Sequence, residues 1–405
     1  MIEKTEIEKA VDMLLSLPAP VETETVPLYG ALDRVLAEDR YASVAIPPFD
    51  RSPYDGYAFR GQDTASATKS TPVELNISEE IPAGKLPRFE ITEGMAAKIL
   101  TGAPIPKGAN ATIKYELTKF TQAKVWISDP ILPNTDIVRA GEDLKLGALI
   151  ANKGTVLIAP LLGLLATQGL KDLRVYKKPR IIIINTGTEL LELGEPLHPG
   201  AIYNSSCYAL AGYLKKAGAE PVNGGVVEDD PDEIARRIGE ALDSADMVVT
   251  TGGASVGDYD WIATASQRLG ASILFNKVAM KPGGSIVASE KDGKLILGLS
   301  GNPGAAALGL FRIAMPYILK LCGRSDLMPE QVEVLLKQPL NKKSPNRRLL
   351  RGRLERDNGQ AFFVDNPGQG NGTFSSLVNC DLIGEVPAGS PPLPAGTKIK
   401  AYRIG

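Results

Sequence analysis

The chain has 405 residues, and its 45 Lys plus Arg against 47 Asp plus Glu give a formal net charge of −2. This length is sufficient for several domains with sizeable cores. The near-neutral balance excludes a global field that would recruit nucleic acid or an anionic membrane, so we expect any anion site to be local.

The rare residues narrow the chemistry further. Cys207, Cys322 and Cys380 are far apart and form no C-x-x-C pair, which argues against zinc and a disulfide framework and favours the cytoplasm. His198 is the only histidine and is predicted in a surface loop, which removes most histidine-based catalysis. We expect no membrane span, since no run of about 20 apolar residues is apparent, and no signal peptide in the acidic N-terminus.

The chain begins with a capping-box pattern, Thr5-x-x-Glu8, ahead of apolar residues at helical spacing, which predicts an amphipathic helix. From about 42 to 140, strand-like pieces such as VELNIS and KVWISD alternate with Pro- and Gly-rich turns, which predicts a β-rich module. Residues 157–170 are predicted to be helical, with Pro160 in the first turn.

Residues 179–322 alternate between apolar strands (RIIIIN, EPVNGGVV, DMVVTT, KLILGL) and helices. This alternation predicts a parallel sheet covered by helices on both faces. Three glycine-bearing turns, TGTE, TGGASVGD and SGNPG, fall at the carboxyl ends of strands, where such sheets bind ligands. Asp230, followed by Pro231, is interpreted as an ordinary helix N-cap.

One of these turns combines glycines with carboxylates. In DMVVTTGGASVGDYD, residues 246–260, the glycines let backbone N–H groups approach a phosphate, and Asp258 and Asp260 suit its Mg²⁺. The alternative is a tight turn in which Asp258 only caps a helix. Glu189 follows another of the turns, where a ligand is expected.

Charged residues elsewhere have two interpretations each. Lys277 and Lys281 in NKVAMKPGG either hold a dianion or are exposed lysines that flank a buried VAM. Asp55 lies in the loop PPFDRSPYDGYAFRG, where it either positions a ligand or forms a turn with Gly56.

From about 326 to 405, short strands predict a small β-barrel or sandwich. Arg351 and Arg353 share one face of a predicted strand there. The favoured interpretation is a solvated basic edge that discourages strand pairing.

Six motifs, found in order along the chain, carry a family resemblance. PPFDRSPYDGYA, KILTGAPIPKGANATI, VRAGEDLKLG, TTGGASVGDYD, KVAMKPGG and GLSGNPGAAA resemble MoeA, the molybdopterin molybdenumtransferase family that also forms one part of gephyrin. The glycine-rich domain alone would also fit MogA/MoaB-type adenylyltransferases and CinA-like proteins. The DGYA and TGAP motifs and the C-terminal β domain point to MoeA.

The resemblance implies a multidomain α/β protein. It implies a discontinuous helical linker domain (1–45 and 140–178), a β-rich insertion domain (46–139), a MogA-like molybdopterin-binding domain with a parallel sheet (179–325) and a C-terminal β-barrel domain (326–405). It also implies molybdenum cofactor biosynthesis in the cytoplasm, in which molybdate is inserted into adenylylated molybdopterin with Mg²⁺-dependent release of AMP. The implied assembly is an elongated homodimer with its site at the subunit interface, and a MogA-like adenylyltransferase is the expected functional partner.

The resemblance also assigns residues. Catalytic roles are expected for Asp55, Thr101, Asp143, Glu189, Asp258, Lys277 and Lys281. Cofactor binding is expected at Thr251, Gly252, Gly253, Ser255, Gly257, Ser300, Gly301, Asn302, Pro303 and Arg351. Asp258 and Glu189 are assigned to the metal and nucleotide phosphate, the two lysines and Arg351 to molybdate or phosphate, and Asp55 and Thr101 to pterin or metal positioning from the partner subunit.

The chain departs from the usual family pattern at several positions. The family usually has DNSAMDGYA where Arg51, Pro53 and Tyr54 stand, TGDEL where Thr188 stands, GLPGNP where Ser300 stands, and a serine where Asn371 stands. These departures leave open a tungstate-preferring protein, or a diverged one that acts mainly in pterin binding or as a scaffold. A MogA-like nucleotidyl transferase or hydrolase that uses only the α/β domain is a second alternative.

Overall fold

The computed structural model describes residues 4–19, 21–253 and 261–404. The chain divides into two compact units, which are described separately here. The first unit comprises Met1–Glu38, Lys153–Leu157 and Leu173–Gly405, and the second comprises Asp39–Asn152 and Ile158–Asp172.

The secondary-structure elements follow in chain order. The chain up to residue 176 contains α1 (Ile7–Ser16), β1 (Thr23–Pro27), β2 (Arg40–Tyr41), β3 (Gly56–Phe59), β4 (Val73–Ile81), β5 (Met95–Ile99), β6 (Ala111–Lys114), β7 (Thr118–Phe120), β8 (Lys124–Ile127), β9 (Leu149–Ala151), α2 (Ala159–Ala166) and β10 (Asp172–Tyr176). Residues 180–321 contain β11 (Arg180–Thr186), β12 (Leu190–Leu191), β13 (Ile202–Tyr203), α3 (Ser205–Ala217), β14 (Glu220–Val227), α4 (Pro231–Leu242), β15 (Met247–Thr251), α5 (Trp261–Arg268), β16 (Ser272–Asn276), β17 (Met280–Lys281), β18 (Val287–Lys291), β19 (Lys294–Leu299), α6 (Pro303–Gly309) and α7 (Met315–Leu321). The remainder contains β20 (Gln331–Leu336), β21 (Arg347–Asp357), β22 (Gln360–Asp365), α8 (Ser375–Val378), β23 (Leu382–Val386) and β24 (Lys398–Arg403).

The second unit is built on a six-stranded sheet with the order β6-β3-β5-β4-β8-β7. Its core contains Tyr57 and Phe59, which are fully buried and alternate with Ala58 on the strand that follows Asp55. These aromatic residues therefore pack the module. Asp55 is exposed and immediately precedes β3.

The α/β sheet of the first unit has the order β14-β11-β15-β19-β18-β16. Strand β11 alternates between two cores: Ile181 and Ile183 pack with α1, α3 and α7, whereas Ile182 and Ile184 pack with α4 and α5. This period-2 burial on both faces explains the nearly continuous isoleucine run. The expected α/β architecture is confirmed.

The sheet differs from the prediction at one edge, because only β14, β11, β15 and β19 are parallel. Strand β18 pairs antiparallel with β19, and β16 pairs antiparallel with β18. A tight turn joins β18 to β19, with Asp292 and Gly293 both at positive φ. Such turns make hairpins, which the β-α alternation did not reveal. The predicted N-cap of α4 is confirmed, since Asp230 accepts hydrogen bonds from the N–H groups of Asp232 and Glu233, both at 2.9 Å.

A long apolar helical segment crosses the core of the first unit. Pro303–Leu321 consists of α6, one π-helical turn (Leu310–Ala314) and α7. It is long and apolar enough to cross a membrane by length and composition only, and it contains Arg312 and Lys320. However, 89% of the segment is buried inside the protein, which is the behaviour of a core helix.

The C-terminal strands form a barrel. The order β17-β21-β22-β20-β24-β23 is closed by an additional pairing between β21 and β23. The interior is filled by apolar side chains that include Leu350, Phe363 and Ile399. Because closure leaves β21 paired on both sides, the expectation of a solvated basic edge is wrong for Arg351, which has no exposed surface.

Candidate functional site

The parallel strands β11, β15 and β19 place three turns at one edge of the sheet. A cavity of about 690 Å³ opens between them. It is lined by Asn185, Thr186, Gly187, Glu189, Leu190, Ile202, Tyr203, Asn204, Ser205, Ser206, Asp229, Thr251, Gly252, Gly253, Gly301, Asn302, Pro303, Gly372 and Phe374. The structure therefore brings together Glu189 and six of the expected cofactor-binding residues, while Asp258, Ser255 and Gly257 lie outside the described residues.

The turns pack so closely that a side chain at position 252 would collide with the neighbouring turn. Gly252 has φ +89°, and a Cβ there would lie 2.2 Å from the carbonyl oxygen of Thr186. A Cβ on Gly301 would lie 3.3 Å from the Cα of Gly252. At this contact the wall of the cavity is backbone rather than side chain, which is the surface that a phosphate group can approach closely.

Below the turns lies a buried polar floor. The side-chain amide of Asn185 donates to the Thr251 hydroxyl, and that of Asn204 donates to the Asn185 carbonyl oxygen at 3.3 Å. All three residues are at most 2% exposed. Buried polar groups linked in this way hold one another in fixed positions. Neither asparagine was predicted from the sequence: Asn185 lies near the carboxyl end of β11, and Asn204 follows the short strand β13.

Two carboxylates face the cavity. Glu189 folds back over its own turn, since a Cβ on Gly187 would lie 2.6 Å from its Oε2. The pKa of Asp229 is raised by partial burial and by the nearby negative charge of Glu189, and the Thr186 hydroxyl offsets part of this. The sequence pattern identified Asp230 as the N-cap of α4 but did not identify its neighbour Asp229 as a site residue. Within the described residues no group of three His, Cys, Asp or Glu side chains could hold a metal ion.

Two smaller cavities lie next to the first, in a row in which each shares lining residues with the one before it. One of about 280 Å³ shares Gly252, Gly253, Gly301 and Asn302 with it and is also lined by Ser300. A third of about 370 Å³ contains both Lys277 and Lys281 and shares Gly283, Ser285 and Asn371 with the second. Val278 and Met280 between the lysines are buried, at 1% and 3% exposure. The two lysines thus flank a buried segment and also converge on one cavity.

Arg351 has a different place from the one expected, because it lines none of these cavities. Its guanidinium donates to the carbonyl oxygens of Gly370, at 3.0 Å, and Thr373, at 3.4 Å. Its Nε donates to the side chain of Gln369 at 3.4 Å. The buried arginine therefore braces the loop that carries Asn371 and Gly372 into the cavities.

The remaining predicted residues belong to the second unit. Both the N–H and the hydroxyl of Thr101 donate to Oδ1 of Asp55, each at 2.7 Å. These hydrogen bonds, the backbone one foremost, lower the pKa of Asp55. Asp143 is exposed in the same unit, where its N–H donates to the carbonyl of Ile46 at 3.0 Å. The structure brings Asp55 and Thr101 into direct contact.

The departures from the family pattern have local structural consequences. The Ser300 hydroxyl accepts a hydrogen bond from the Asn302 N–H at 3.2 Å, a contact that a proline could not make. Asn371 lines the second and third cavities, so an amide replaces a hydroxyl at their junction. Tyr54 donates to Asp136, and burial together with that contact raises the pKa of its phenol. Thr188 is exposed beside Glu189.

Comparison with protein families covers nearly the whole chain. Residues 5–169 match the MoeA N-terminal region (domain I and II), residues 182–320 match a probable molybdopterin binding domain, and residues 333–404 match the MoeA C-terminal region (domain IV). The fold and the cavity at its sheet edge thus define a multidomain protein built around a molybdopterin-binding α/β domain.

Individual relatives and a solved structure agree with this class. Proteins named molybdopterin molybdenumtransferase from Staphylococcus aureus (strain Mu50) and Bacillus subtilis (strain 168) are each 33% identical to the chain, covering 97% and 98% of it and 93% and 94% of the relatives. A molybdopterin biosynthesis MoeA protein from Pyrococcus horikoshii OT3 is 31% identical with a TM-score of 0.84, covering 99% of this chain and all of that one. The chain belongs to the MoeA family.

Proposed function

We propose that this chain is a molybdopterin molybdenumtransferase of molybdenum cofactor biosynthesis, which inserts molybdate into adenylylated molybdopterin and releases AMP. The observation that carries the proposal is a row of three neighbouring cavities along one sheet edge, each of which shares lining residues with the next. Glycine turns and carboxylates lie at one end, and two lysines lie at the other. The substrate carries a phosphate link at one end and an oxyanion-accepting group at the other. Each end of the site can bind one of these groups.

The glycine end suits the nucleotide phosphates. Backbone N–H groups at the turns can approach phosphate oxygens, because Gly252 and Gly301 present no side chain there. Glu189 and Asp229 are oxygen donors of the kind that Mg²⁺ takes from proteins, together with water and substrate oxygens. These two residues would hold Mg²⁺ in this proposal, with Asp258 as a third candidate. When bound, the ion would offset the negative charge of the phosphate link.

The lysine end suits molybdate. Molybdate is a dianion, and Lys277 and Lys281 place two ammonium groups around one cavity. Three hydrogen-bond donors on each ammonium can rearrange around a tetrahedral oxyanion. The amide of Asn371 at the junction of the cavities adds a neutral donor between the oxyanion and the phosphate end.

The wider assembly is part of the same proposal. The protein acts in the cytoplasm as a homodimer, and Asp55 and Thr101 of one subunit complete the site of the other. A MogA-like adenylyltransferase supplies the adenylylated pterin. We propose the following domain boundaries for this protein. They are a linker domain (1–45 and 140–178), an insertion domain (46–139), an α/β domain (179–325) and a C-terminal barrel (326–405).

The experiment supplies purified protein with adenylylated molybdopterin and Mg²⁺, and measures AMP release with molybdate, with tungstate and with neither oxyanion. We expect release that depends on molybdate, and strong loss of it in Glu189→Gln. Glu240→Gln is the matched control, because Glu240 is an exposed helix residue that forms an ion pair with Arg236. AMP release with tungstate but not with molybdate would identify tungstate as the substrate oxyanion. No AMP release with either oxyanion would favour a role as a scaffold protein.

A further inference from the structure

The cavity that contains Lys277 and Lys281 has a third cationic residue in its wall, Lys4. Lys4 comes from the N-terminal segment, 273 residues before Lys277 in the sequence. The other lining residues are Val278, Met280, Pro282, Gly283, Gly284, Ser285 and Asn371. Among the described residues, no Asp or Glu lines this cavity, so its positive charge is not neutralised locally.

Some lysines of this chain, such as Lys98, Lys124 and Lys177, form ion pairs with glutamates, and others do not. In the described part of the chain, none of the three cavity lysines forms such a pair. Clustered cations without carboxylate partners are destabilised by their mutual repulsion, which a bound anion would relieve.

Backbone hydrogen bonds of the next residue, Thr5, hold Lys4 beside the lysine segment. The N–H of Thr5 donates to the carbonyl of Lys277 at 3.0 Å, and the N–H of Ala279 donates to the carbonyl of Thr5 at 2.8 Å. This parallel bridge places the N-terminal segment beside the lysine segment. Ile7 on one side and Val278 on the other are buried in the same core, at 0% and 1% exposure.

The same contacts hold an unusual backbone conformation. Lys277 has φ +88°, in the left-handed region that non-glycine residues rarely adopt. The N–H of Lys277 donates to the carbonyl oxygen of Ile286 at 2.9 Å, and the carbonyl oxygen of Lys277 accepts from the N–H of Thr5. A residue persists in such a conformation only where its surroundings fix it on both sides. The N-terminal segment is therefore one of the supports that hold Lys277 in this conformation.

We infer that Lys4 is the third cation of the oxyanion site, delivered to Lys277 and Lys281 by the backbone pairing of Thr5, and that it contributes directly to the affinity for molybdate. The inference rests on the proposed function, because it takes the lysine cavity as the oxyanion end of the site. It makes the N-terminal segment part of the binding machinery and not only a helix that packs on the α/β core.

The test measures binding of molybdate alone to the full-length protein by isothermal titration calorimetry, without any pterin. Lys4→Gln is expected to weaken binding about five- to tenfold at low ionic strength, or about 1–1.4 kcal/mol. The deficit should shrink when salt is raised, since an exposed charge is screened. Lys4→Arg, which keeps the charge, should stay within about twofold of the unmodified protein. Lys9→Gln is the matched control, because Lys9 is an exposed lysine of α1 that lines none of the three cavities of the site.

Three results would overturn the inference. Equal affinities for Lys4→Gln and Lys9→Gln would remove Lys4 from the site and leave the transferase proposal intact. Equal weakening in Lys4→Gln and Lys4→Arg, with lowered thermal stability, would make the role of Lys4 structural. Absence of molybdate binding to the unmodified protein would remove the oxyanion site itself. Failure of the transferase proposal is recognised separately, by AMP release that does not depend on molybdate.

Discussion

Replacing Arg351 with methionine tests whether this residue braces a loop or binds an anion directly. Methionine keeps much of the volume but removes every donor. The buried guanidinium makes one hydrogen bond of ordinary length, 3.0 Å to Gly370, and two longer ones at 3.4 Å to Thr373 and Gln369. A hydrogen bond from a charged donor contributes about 1.5–3 kcal/mol, so counting one in full and two as weak gives a loss of about 2–4 kcal/mol in the free energy of unfolding.

The assay combines urea unfolding with hydrogen exchange of residues 366–373. We expect faster exchange in this loop as well as lower stability, because its carbonyl groups lose their buried partner. Arg353→Met is the control, since Arg353 is exposed on the same strand and should change stability by less than about 0.5 kcal/mol. Arg351→Lys should recover only part of the loss, because an ammonium cannot reproduce the guanidinium fork.

One outcome would refute this reasoning. If Arg351→Met matched Arg353→Met in stability and exchange but lost molybdate affinity about tenfold or more, then the guanidinium would be an anion ligand, as the family resemblance implies. The hydrogen bonds from Arg351 to the loop would then contribute little to its stability.

Three further predictions concern other parts of the site. Gly304→Ala should lower stability and loosen the same loop, because its Cβ would lie 2.4 Å from Nη1 of Arg351; unchanged exchange would contradict the contact. Thr101→Val should raise the pKa of Asp55, measured by carboxyl NMR, yet leave it below its ordinary value because the backbone N–H remains; an unchanged pKa would be the contrary result. Asp229→Asn should raise the melting temperature at pH 7 while lowering AMP release. The raised pKa of Asp229 means that its ionised form costs stability at high pH, so this gain should shrink as the pH falls toward 4, and a constant gain would exclude ionisation as its cause.

Much of the fold was predictable because local patterns determine it. The isoleucine run of β11 is buried on both faces, and only a sheet covered by helices on both sides buries such a run. The three glycine turns were also predictable as neighbours, since parallel strands align their carboxyl ends. The antiparallel hairpin of β18 and β19 was not predictable from β-α alternation, because its pairing depends on a short turn and on register.

The site was predictable where it follows a strand directly and obscure where distant segments meet. Glu189 and the glycines were found from their turns. Asp229 and Asn204 were missed, because their contribution depends on how neighbouring segments converge. The burial of Arg351 follows from barrel closure, and the approach of Lys4 to Lys277 follows from a single bridge between distant segments. Neither leaves a pattern in the local sequence.

In the proposed function, three neighbouring cavities form one site that handles the phosphate link and the oxyanion at opposite ends. This central claim is tested most directly by AMP release measured against molybdate concentration in Glu189→Gln and Lys277→Gln. We expect Glu189→Gln to lower the maximal rate of AMP release and to leave the molybdate concentration for half-maximal rate nearly unchanged. We expect Lys277→Gln to raise that molybdate concentration. Identical molybdate curves for both variants and the unmodified protein would contradict the account, because turnover would then occur elsewhere.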